Sequence, residues 1–209
     1  MAFTCPSCQN PAAEGRDVCI ACGFSLAELD RRLGIPPQLS APVADRFMHL
    51  PASDVRRIAA LTAAIEKRFP QVHLAAVIDH VPEDVAMAVY TFWVFNRSGI
   101  SSPVERGADN HLVLLLIDAT EGGASKGAAC MIGYGLEPFV KWHQLEACLG
   151  VMKAELAGRR LASAIIAFFN DVQAVLQESC VRANRDELLK DTQAAAPSEL
   201  VPNDTTSGD

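Results

Sequence analysis

The sequence has no long apolar run, no excess of basic residues and no secretory signal pattern. Its longest apolar stretch, Leu112–Ile117, has the length of a strand, whereas a membrane-spanning helix needs about 18 apolar residues or more. The N-terminal sequence MAFTCPSCQN shows no basic region followed by an apolar stretch, so we expect no signal peptide and a cytoplasmic location. The net charge of −7 disfavours a general nucleic-acid binder, because such proteins display a basic surface.

Motifs for nucleotide binding and nucleophilic catalysis are also missing. Neither G-x-G-x-x-G nor G-x-x-x-x-G-K-[ST] follows any predicted strand. No G-x-S-x-G elbow and no Cys–His pairing marks a nucleophile. If the chain is an enzyme, its chemistry must therefore rest on another kind of site.

Length and composition allow one ordinary domain with a small appendage. Of the 209 residues, 50% are apolar, which is enough to bury a substantial core. Ser25 is the expected N-cap of a short helix that ends at Gly34. The predicted segments are a cysteine module (1–25), a linker with that short helix (26–42), a main domain (43–183) and a disordered acidic tail (184–209).

Hydrophobic periodicity predicts the order α-β-α-β-β-α-α in the main domain. The first two strands, separated by a helix, should be parallel, and the second and third should form an antiparallel hairpin. Because the first two strands are apolar throughout, both faces of the sheet need covering. We therefore predict an α/β fold, a three-layer α/β/α sandwich with a small mixed β-sheet. The predicted elements are a helix from N-cap Ser53 to Pro70, a strand over 72–79, a helix ending near Gly99, strands over 111–118 and 128–134, a helix opening at 135–138 and reaching about 155, and a closing helix over 160–180 that 183–191 can extend.

Two Cys-x2-Cys pairs at the N-terminus are the most specific signal in the chain. Cys5 and Cys8 form the first pair, and Cys19 and Cys22, followed by Gly23, form the second. Four thiolates on two such turns close a tetrahedral shell around one ion, which predicts a structural zinc ribbon. A redox Cys-x2-Cys is the alternative, but two pairs without a βαβ pattern fit it poorly. Since a closed shell leaves no position for water, we expect this zinc not to catalyse a reaction.

The surroundings of the ribbon indicate the kind of partner. Arg16 is the only basic residue among the first 25. This favours docking of another protein, or a purely structural role in holding the chain together, over nucleic-acid binding. The remaining cysteines, Cys130, Cys148 and Cys180, lie in apolar patterns, and we expect them to be buried as small hydrophobic residues. An odd cysteine count disfavours a disulfide framework. The oligomeric state is not predicted.

Four stretches of the main domain carry family-like motifs. They are VADRFMHLPASDVRRIAALTAAIEKRFPQVHLAAVI, FWVFNRSGI, DNHLVLLLID and IGYGLE. Together they resemble the TPM domain family of thylakoid-lumen, photosystem-repair and receptor-modulating proteins, sometimes labelled TPM phosphatase. The resemblance covers about residues 43–180, and some bacterial relatives carry a zinc ribbon in front. It implies an α/β/α sandwich, metal binding (often calcium) in some members, and acid phosphatase activity in some plant members.

The resemblance also implies a site. Carboxylate and amide oxygens are the ligands that calcium or magnesium accepts. The catalytic candidates, if the chain is an enzyme, are Asp109 and Glu137. The chain departs from the family at His111, where the family has a glycine, and at the soft turn EGGASKG. Matching positions imply a divalent-ion site of Asp45, Asp109, Asn110 and Glu137, flanked by Gly133 and Gly135.

Turn formation is the alternative role for these polar residues. Asp109 or Asn110 can cap a turn, and the dipole of the next helix can favour Glu137. At the opposite edge of the predicted sheet, Asp79 and Asp118 end the two parallel strands. That edge is the usual ligand crevice of an α/β sheet, although aspartates at strand ends are commonly turn formers.

The histidines differ in what stands near them in the sequence. His80 stands beside Asp79, at the edge where Asp79 and Asp118 could serve a metal or an acid–base role. His111 and His143 lack a spaced second ligand, and we expect them to be structural.

Two functions remain open from the sequence. The first is a zinc-ribbon TPM-like protein that binds another protein as an accessory or quality-control factor. The second is a metal-dependent acid phosphatase, in which a divalent ion polarises the phosphoryl group and activates water. The ribbon and the altered Asp-Asn-His motif favour binding, whereas the family label favours the enzyme.

Overall fold

A four-stranded mixed β-sheet with helices on both faces forms the main body of the chain. The computed structural model describes residues 3–12, 16–39, 42–99, 108–121 and 125–194, so that 195–209 of the predicted disordered tail lie outside the described residues. The elements in chain order are β1 (Phe3–Thr4), β2 (Pro11–Ala12), α1 (Leu26–Leu33), β3 (Val43–Asp45), α2 (Ala52–Arg68), β4 (His73–Asp79), α3 (Met87–Arg97), a 3₁₀ turn (Ala108–His111), β5 (Leu112–Asp118), β6 (Ala128–Ile132), α4 (Trp142–Val151), α5 (Lys153–Ala157) and α6 (Leu161–Ala194).

The sheet has the strand order β3-β4-β5-β6, in which β3, β4 and β5 are parallel and β6 is antiparallel to β5. The predicted parallel pair and the predicted hairpin are both confirmed. His73 pairs with Leu112 at one end of the β4–β5 ladder, and Asp79 pairs with Asp118 at the other. The edge strand β3 is not among the predicted elements, because three residues are too few for a periodic pattern to show.

Helices cover both faces of the sheet, which gives the predicted three layers. Both β4 and β5 are buried almost throughout, and their side chains alternate between two separate cores. Leu115 belongs to the core formed with α2, α4 and α6, which includes the fully buried Phe168. Its neighbour Leu116 belongs to the core formed with α1 and α3, which includes the fully buried Trp93.

The helix of the predicted linker is part of this second core. Leu29 of α1 is buried there, and Ser25 is the N-cap of α1 as predicted. Asp30 accepts hydrogen bonds from Trp93 Nε1 at 2.9 Å and from Arg97 Nε at 3.1 Å. The bonds from Arg97 and Trp93 lower the pKa of Asp30, because they stabilise the carboxylate. These contacts attach α1 firmly to α3.

Two helix boundaries differ from the predicted ones at the ends of the domain. α2 begins after Pro51 rather than after Ser53, because the Pro51 carbonyl accepts the first amide hydrogen bonds, including that of Val55. α6 continues to Ala194, which is three residues beyond the extension over 183–191 that the sequence allows, so residues 184–194 are helical. Even so, none of the helices in the described ranges combines the length and apolarity needed to cross a membrane.

The helix predicted to open at Gly135 begins later, at Trp142. The Gly135 N–H donates to the Asn110 carbonyl at 2.7 Å, which ties this segment to the sheet edge as a series of turns. The Gln144 side chain caps the start of α4, since it accepts from the Lys141 N–H at 2.9 Å. The amides of Leu136, Phe139 and Val140 donate to carbonyls within this segment, so it forms turns before α4 begins.

Two of the three scattered cysteines are buried as expected. Burial raises the pKa of the Cys130 thiol to about 12 and that of Cys148 to about 11, because the core disfavours a thiolate. Cys180 is exposed, so the expectation of burial is wrong for this residue. Neighbouring residues 181–183 of α6 are exposed as well, which shows that the helix leaves the core at this point.

Asp118 fixes the end of β5 to two neighbouring turns. Its Oδ1 accepts from the amides of Val81 and Thr120, each at 3.1 Å, and from the Thr120 hydroxyl at 2.6 Å. Its Oδ2 accepts from the Lys126 amide at 2.6 Å. Burial opposes ionisation, but these hydrogen bonds outweigh it and hold the pKa of Asp118 below its usual value. Asp118 therefore has a turn-forming role.

Asp118→Asn should lower the free energy of unfolding by about 2 kcal/mol near neutral pH, because an amide cannot accept all four hydrogen bonds. The carboxylate stabilises the fold above its ordinary pKa of 3.8, and this contribution is lost as the pH falls through the lower folded value. The stability difference should therefore shrink below about pH 4. Urea denaturation near neutral pH and below about pH 4 measures this stability difference. Glu83→Gln, at an exposed position, is a charge-matched control. Equal stability of Asp118→Asn and wild type at neutral pH would contradict this role.

Candidate functional site

The four N-terminal cysteines converge on one point. The Sγ atoms of Cys5, Cys8, Cys19 and Cys22 all lie within 4.8 Å of one another. The Sγ–Sγ distance is 3.7 Å between Cys5 and Cys22 and 3.8 Å between Cys8 and Cys19. Four sulfurs arranged tetrahedrally at a Zn–S distance of about 2.3 Å would lie about 3.8 Å apart. The cluster can therefore hold a metal ion such as zinc.

The two cysteine turns share one backbone geometry. The Gln9 N–H donates to the Cys5 carbonyl and the Gly23 N–H to the Cys19 carbonyl, both at 2.8 Å. Gln9 has φ of 60° and Gly23 has φ of 74°, so each turn closes through the left-handed region. Gln9 adopts this conformation without the freedom of a glycine. Both turns thus present their thiols in the same way.

Protons on the four thiols compete with a cation for the cluster. The backbone amide of Asn10 stabilises the Cys8 thiolate and lowers the pKa of Cys8 to about 7. The amide of Phe24 favours the Cys22 thiolate in the same way, but desolvation and the other cysteines outweigh it and raise the pKa of Cys22 to about 11. Metal binding must therefore release protons, and the affinity for metal should fall on acidification.

The cysteine module contacts the main body and also exposes apolar side chains. The Phe24 ring meets the Phe92 ring edge-on, with 5.9 Å between centroids. Within the second cysteine turn, Ile20 is 76% exposed, and Val18 just before it is 51% exposed. The module therefore presents an apolar surface on a scaffold that α1 attaches to α3.

The second predicted metal set is divided between opposite ends of the sheet. Asp45 ends β3, whereas the backbone of Asp109 and Asn110 precedes β5. Because β3 and β5 are parallel, these positions lie at opposite edges, about 20 Å apart along the strands. Glu137 is exposed in the turns that follow β6. The structure therefore does not bring Asp45 together with the other three residues, and the described residues hold no second cluster of three or more metal-ligating side chains.

The open end of the hairpin is closed by backbone contacts. The Gly133 N–H donates to the Leu112 carbonyl at 2.9 Å, and the Gly135 N–H donates to the Asn110 carbonyl at 2.7 Å. A Cβ atom at Gly135 would lie 2.5 Å from His111 Nε2 and 2.8 Å from the Asn110 carbonyl oxygen. Gly135 is therefore required by close approach, and His111 fills the space beside it.

A buried carboxylate organises the carboxyl edge of the sheet. Asp79 is only 1% exposed and accepts from the Tyr90 hydroxyl at 2.8 Å and from Arg46 at 3.4 Å. Burial and the Asp79 carboxylate raise the pKa of Tyr90. Asp45 Oδ2 accepts from the Leu50 amide at 2.7 Å, while its buried Oδ1 has no hydrogen-bond partner among the described residues.

Two histidines meet beside this carboxylate. His49 Nε2 and His80 Nε2 lie 3.3 Å apart, and both side chains are half-buried. The Phe47 ring stacks on the His80 ring, with 3.9 Å between centroids and 7° between planes. Sequence analysis identified His80 but missed His49 and Phe47, because without β3 nothing in the sequence places residues 46–49 at this edge.

A cavity of about 260 Å³ lies between the start of α2 and the start of α6. Its lining includes His49, Asp54, Arg57, Arg159 and Arg160. Arg57 donates to Asp54 at 3.0 Å, so the charge of that arginine is partly neutralised within the lining. The other two arginines also have carboxylate partners: Arg160 pairs with Glu155 at 2.6 Å, and Arg159 lies 4.0 Å from Glu121. The positive charge of the lining is therefore largely compensated.

Gly135→Ala should lower the free energy of unfolding by about 1–3 kcal/mol, because the added methyl group overpacks against His111. Combining it with His111→Ala should recover part of the loss, since the carbonyl of Asn110 still obstructs the methyl group. Gly150→Ala is the matched control: its Cβ meets nothing within 4 Å, and alanine is the better helix former. Chemical denaturation measures all four proteins. A fully stable Gly135→Ala, or no recovery in the double variant, would contradict this packing.

Comparison with known proteins shows the fold. No family model and no curated protein matches the chain. The N-terminal domain of a P. gingivalis protein, solved by solution NMR, has a TM-score of 0.54 at 18% sequence identity, covering 67% of this chain and 84% of that chain. The N-terminal domain of the cg2496 protein from Corynebacterium glutamicum, also solved by NMR, has a TM-score of 0.49 at 15% identity, covering 68% of this chain and 83% of that one. The similarity to the P. gingivalis domain shows a shared α/β fold and carries no information on function.

Proposed function

We propose that this chain is a zinc-ribbon protein that binds a protein partner as an accessory or quality-control factor. The observation that carries the proposal is the cluster of four sulfurs within 4.8 Å of one another, in which two sulfur pairs have the 3.7–3.8 Å spacing of a tetrahedral zinc shell. Because every position of the shell is a cysteine sulfur, a bound zinc has no open position for water and stabilises the module. Thiolate ligands also fit a reducing compartment, which supports a cytoplasmic location.

The main domain is proposed to be TPM-like. The motifs around residues 43–180 support this assignment, and the α/β fold agrees with it. A calcium or magnesium ion near Asp109, Asn110 and Glu137 remains part of the proposal. Asp45 is left out of that set, because it ends a strand at the opposite edge.

The partner surface is proposed to lie on the ribbon. Ile20 and Val18 are exposed on this module, and α1 holds the module to the main body, so little conformational entropy is lost when a partner docks. Arg16 is the only basic residue among the first 25, which favours an apolar protein contact over a nucleic-acid contact.

A metal-dependent acid phosphatase is the second candidate function. The cavity lined by Arg57, Arg159, Arg160 and His49 is the observation in its favour, since guanidinium groups bind phosphoryl groups. Each of these arginines already has a carboxylate partner, which weakens that attraction. The catalytic candidates from the sequence, Asp109 and Glu137, belong to the segments before β5 and after β6. The cavity is instead lined by the segments that start α2 and α6. This arrangement favours binding over catalysis.

One set of purified, untagged proteins distinguishes the two functions. Affinity capture from cell extract, followed by gel filtration of the complex, compares wild type with Ile20→Ser and Ile35→Ser. Ile35 follows α1 and is 77% exposed, almost the same as Ile20, so it is a matched control. We expect Ile20→Ser to lose the complex and Ile35→Ser to keep it, because only Ile20 belongs to the ribbon.

The same preparations are assayed for p-nitrophenyl phosphate turnover with added divalent ions. We expect no turnover above background for wild type, Asp109→Ala or Arg57→Ala. Wild-type turnover that either substitution abolishes, with the fold intact, would overturn the binding-only view. If the complex with the partner still forms with Ile20→Ser, the ribbon is not the docking surface.

A further inference from the structure

We propose that His49 and His80 form a second metal site, which takes a borderline divalent transition ion such as Zn²⁺, Ni²⁺ or Cu²⁺. The two imidazoles come from different segments: His49 precedes α2, and His80 directly follows β4. The site shares no residue with the cysteine cluster or with the predicted set of Asp109, Asn110 and Glu137.

The distance between the two rings fits joint ligation of one ion. Two imidazole nitrogens at about 2.0–2.1 Å from a tetrahedral ion lie about 3.3 Å apart. The observed separation of His49 Nε2 and His80 Nε2 is 3.3 Å. A direct hydrogen bond from a ring N–H is usually nearer 3.0 Å, so the pair is spaced more like two ligands than like donor and acceptor.

Carboxylates hold the backbone at both ligand positions. The backbone amide of His80 donates to Asp79 Oδ1 at 2.9 Å, and Asp79 is in turn held by the Tyr90 hydroxyl. On the other side, the Leu50 amide next to His49 donates to Asp45 Oδ2 at 2.7 Å. These hydrogen bonds fix the backbone on which the two histidines are carried.

The local packing and charge are compatible with a cation. Phe47 stacks on the His80 ring, with 7° between the planes, and so restricts its rotation. Arg46 on the same loop is paired with Asp79 at 3.4 Å. The arginines of the cavity that His49 also lines are paired as well: Arg57 with Asp54, Arg160 with Glu155, and Arg159 with Glu121 at 4.0 Å. These carboxylates compensate the positive charge around the two histidines. The site lies at the carboxyl edge of a parallel strand pair, the usual crevice for ligands in α/β sheets.

The ligand chemistry selects the ion. Imidazole nitrogens suit zinc, nickel and copper, whereas calcium and magnesium prefer oxygen ligands. Two protein ligands leave the other positions to water, so this site should bind more weakly than the four-sulfur cluster and should stay open to exchange.

Calorimetric titration of full-length, untagged, zinc-loaded protein with Ni²⁺ tests the proposal. We expect one saturable nickel ion per chain, with affinity at least tenfold weaker in His49→Gln and in His80→Gln. His143→Gln should titrate like wild type, because His143 is an exposed, lone histidine on α4. Zinc analysis after the titration, and the absence of a sulfur-to-nickel absorption band, show that the cysteines have not taken up the nickel.

Electron paramagnetic resonance of one equivalent of Cu²⁺ on the wild type gives a readout that needs no variant. Hyperfine structure from two imidazole nitrogens is expected. A wild type without saturable nickel binding, variants that titrate like wild type, or a copper spectrum without paired nitrogen coupling would each overturn the site and leave an ordinary contact between two histidines.

Discussion

The parallel pair of β4 and β5 is buried on both faces, and the arrangement of the other elements follows from it. Along this pair alternate side chains enter different cores, so a single layer of helices could not remove all of them from water. α2, α4 and α6 cover one face. α3 covers the other together with α1, which lies outside the main domain in sequence. The second core therefore attaches the N-terminal cysteine module to the body.

The same strand pair decides where polar groups collect. Parallel strands bring their carboxyl ends to one edge, where Asp79 and Asp118 lie opposite each other in the ladder. These two buried carboxylates have different tasks. Asp118 uses its oxygens to fix turns, whereas Asp79 supports the backbone of His80 and receives Tyr90 and Arg46. The ring nitrogens of His49 and His80 therefore lie beside Asp79, whereas both oxygens of Asp118 are engaged in holding turns.

The fold was predictable where a pattern repeats over several residues, and the site was predictable where ligands follow one another in sequence. The cysteine spacing identified the cluster because each turn holds its two ligands locally. The strands of 72–79 and 111–118 were evident from continuous apolar runs. Asp45 and His49 were misplaced or missed, because the three-residue β3 leaves no periodic signal and only its pairing with β4 shows which edge they occupy. The prediction of a helix opening at Gly135 was wrong. The Gly135 amide donates to the Asn110 carbonyl, a contact between segments that are distant in sequence.

The central claim is that the four cysteines bind one structural zinc ion, and the metal content of the protein tests it most directly. Elemental analysis of untagged wild type and Cys8→Ser, purified without chelators and dialysed to remove weakly held ions, gives the number of zinc ions per chain. The account predicts about one zinc per chain in wild type and none in Cys8→Ser, since three sulfurs do not complete the shell. Wild type free of zinc, or Cys8→Ser that retains a full equivalent, would contradict it.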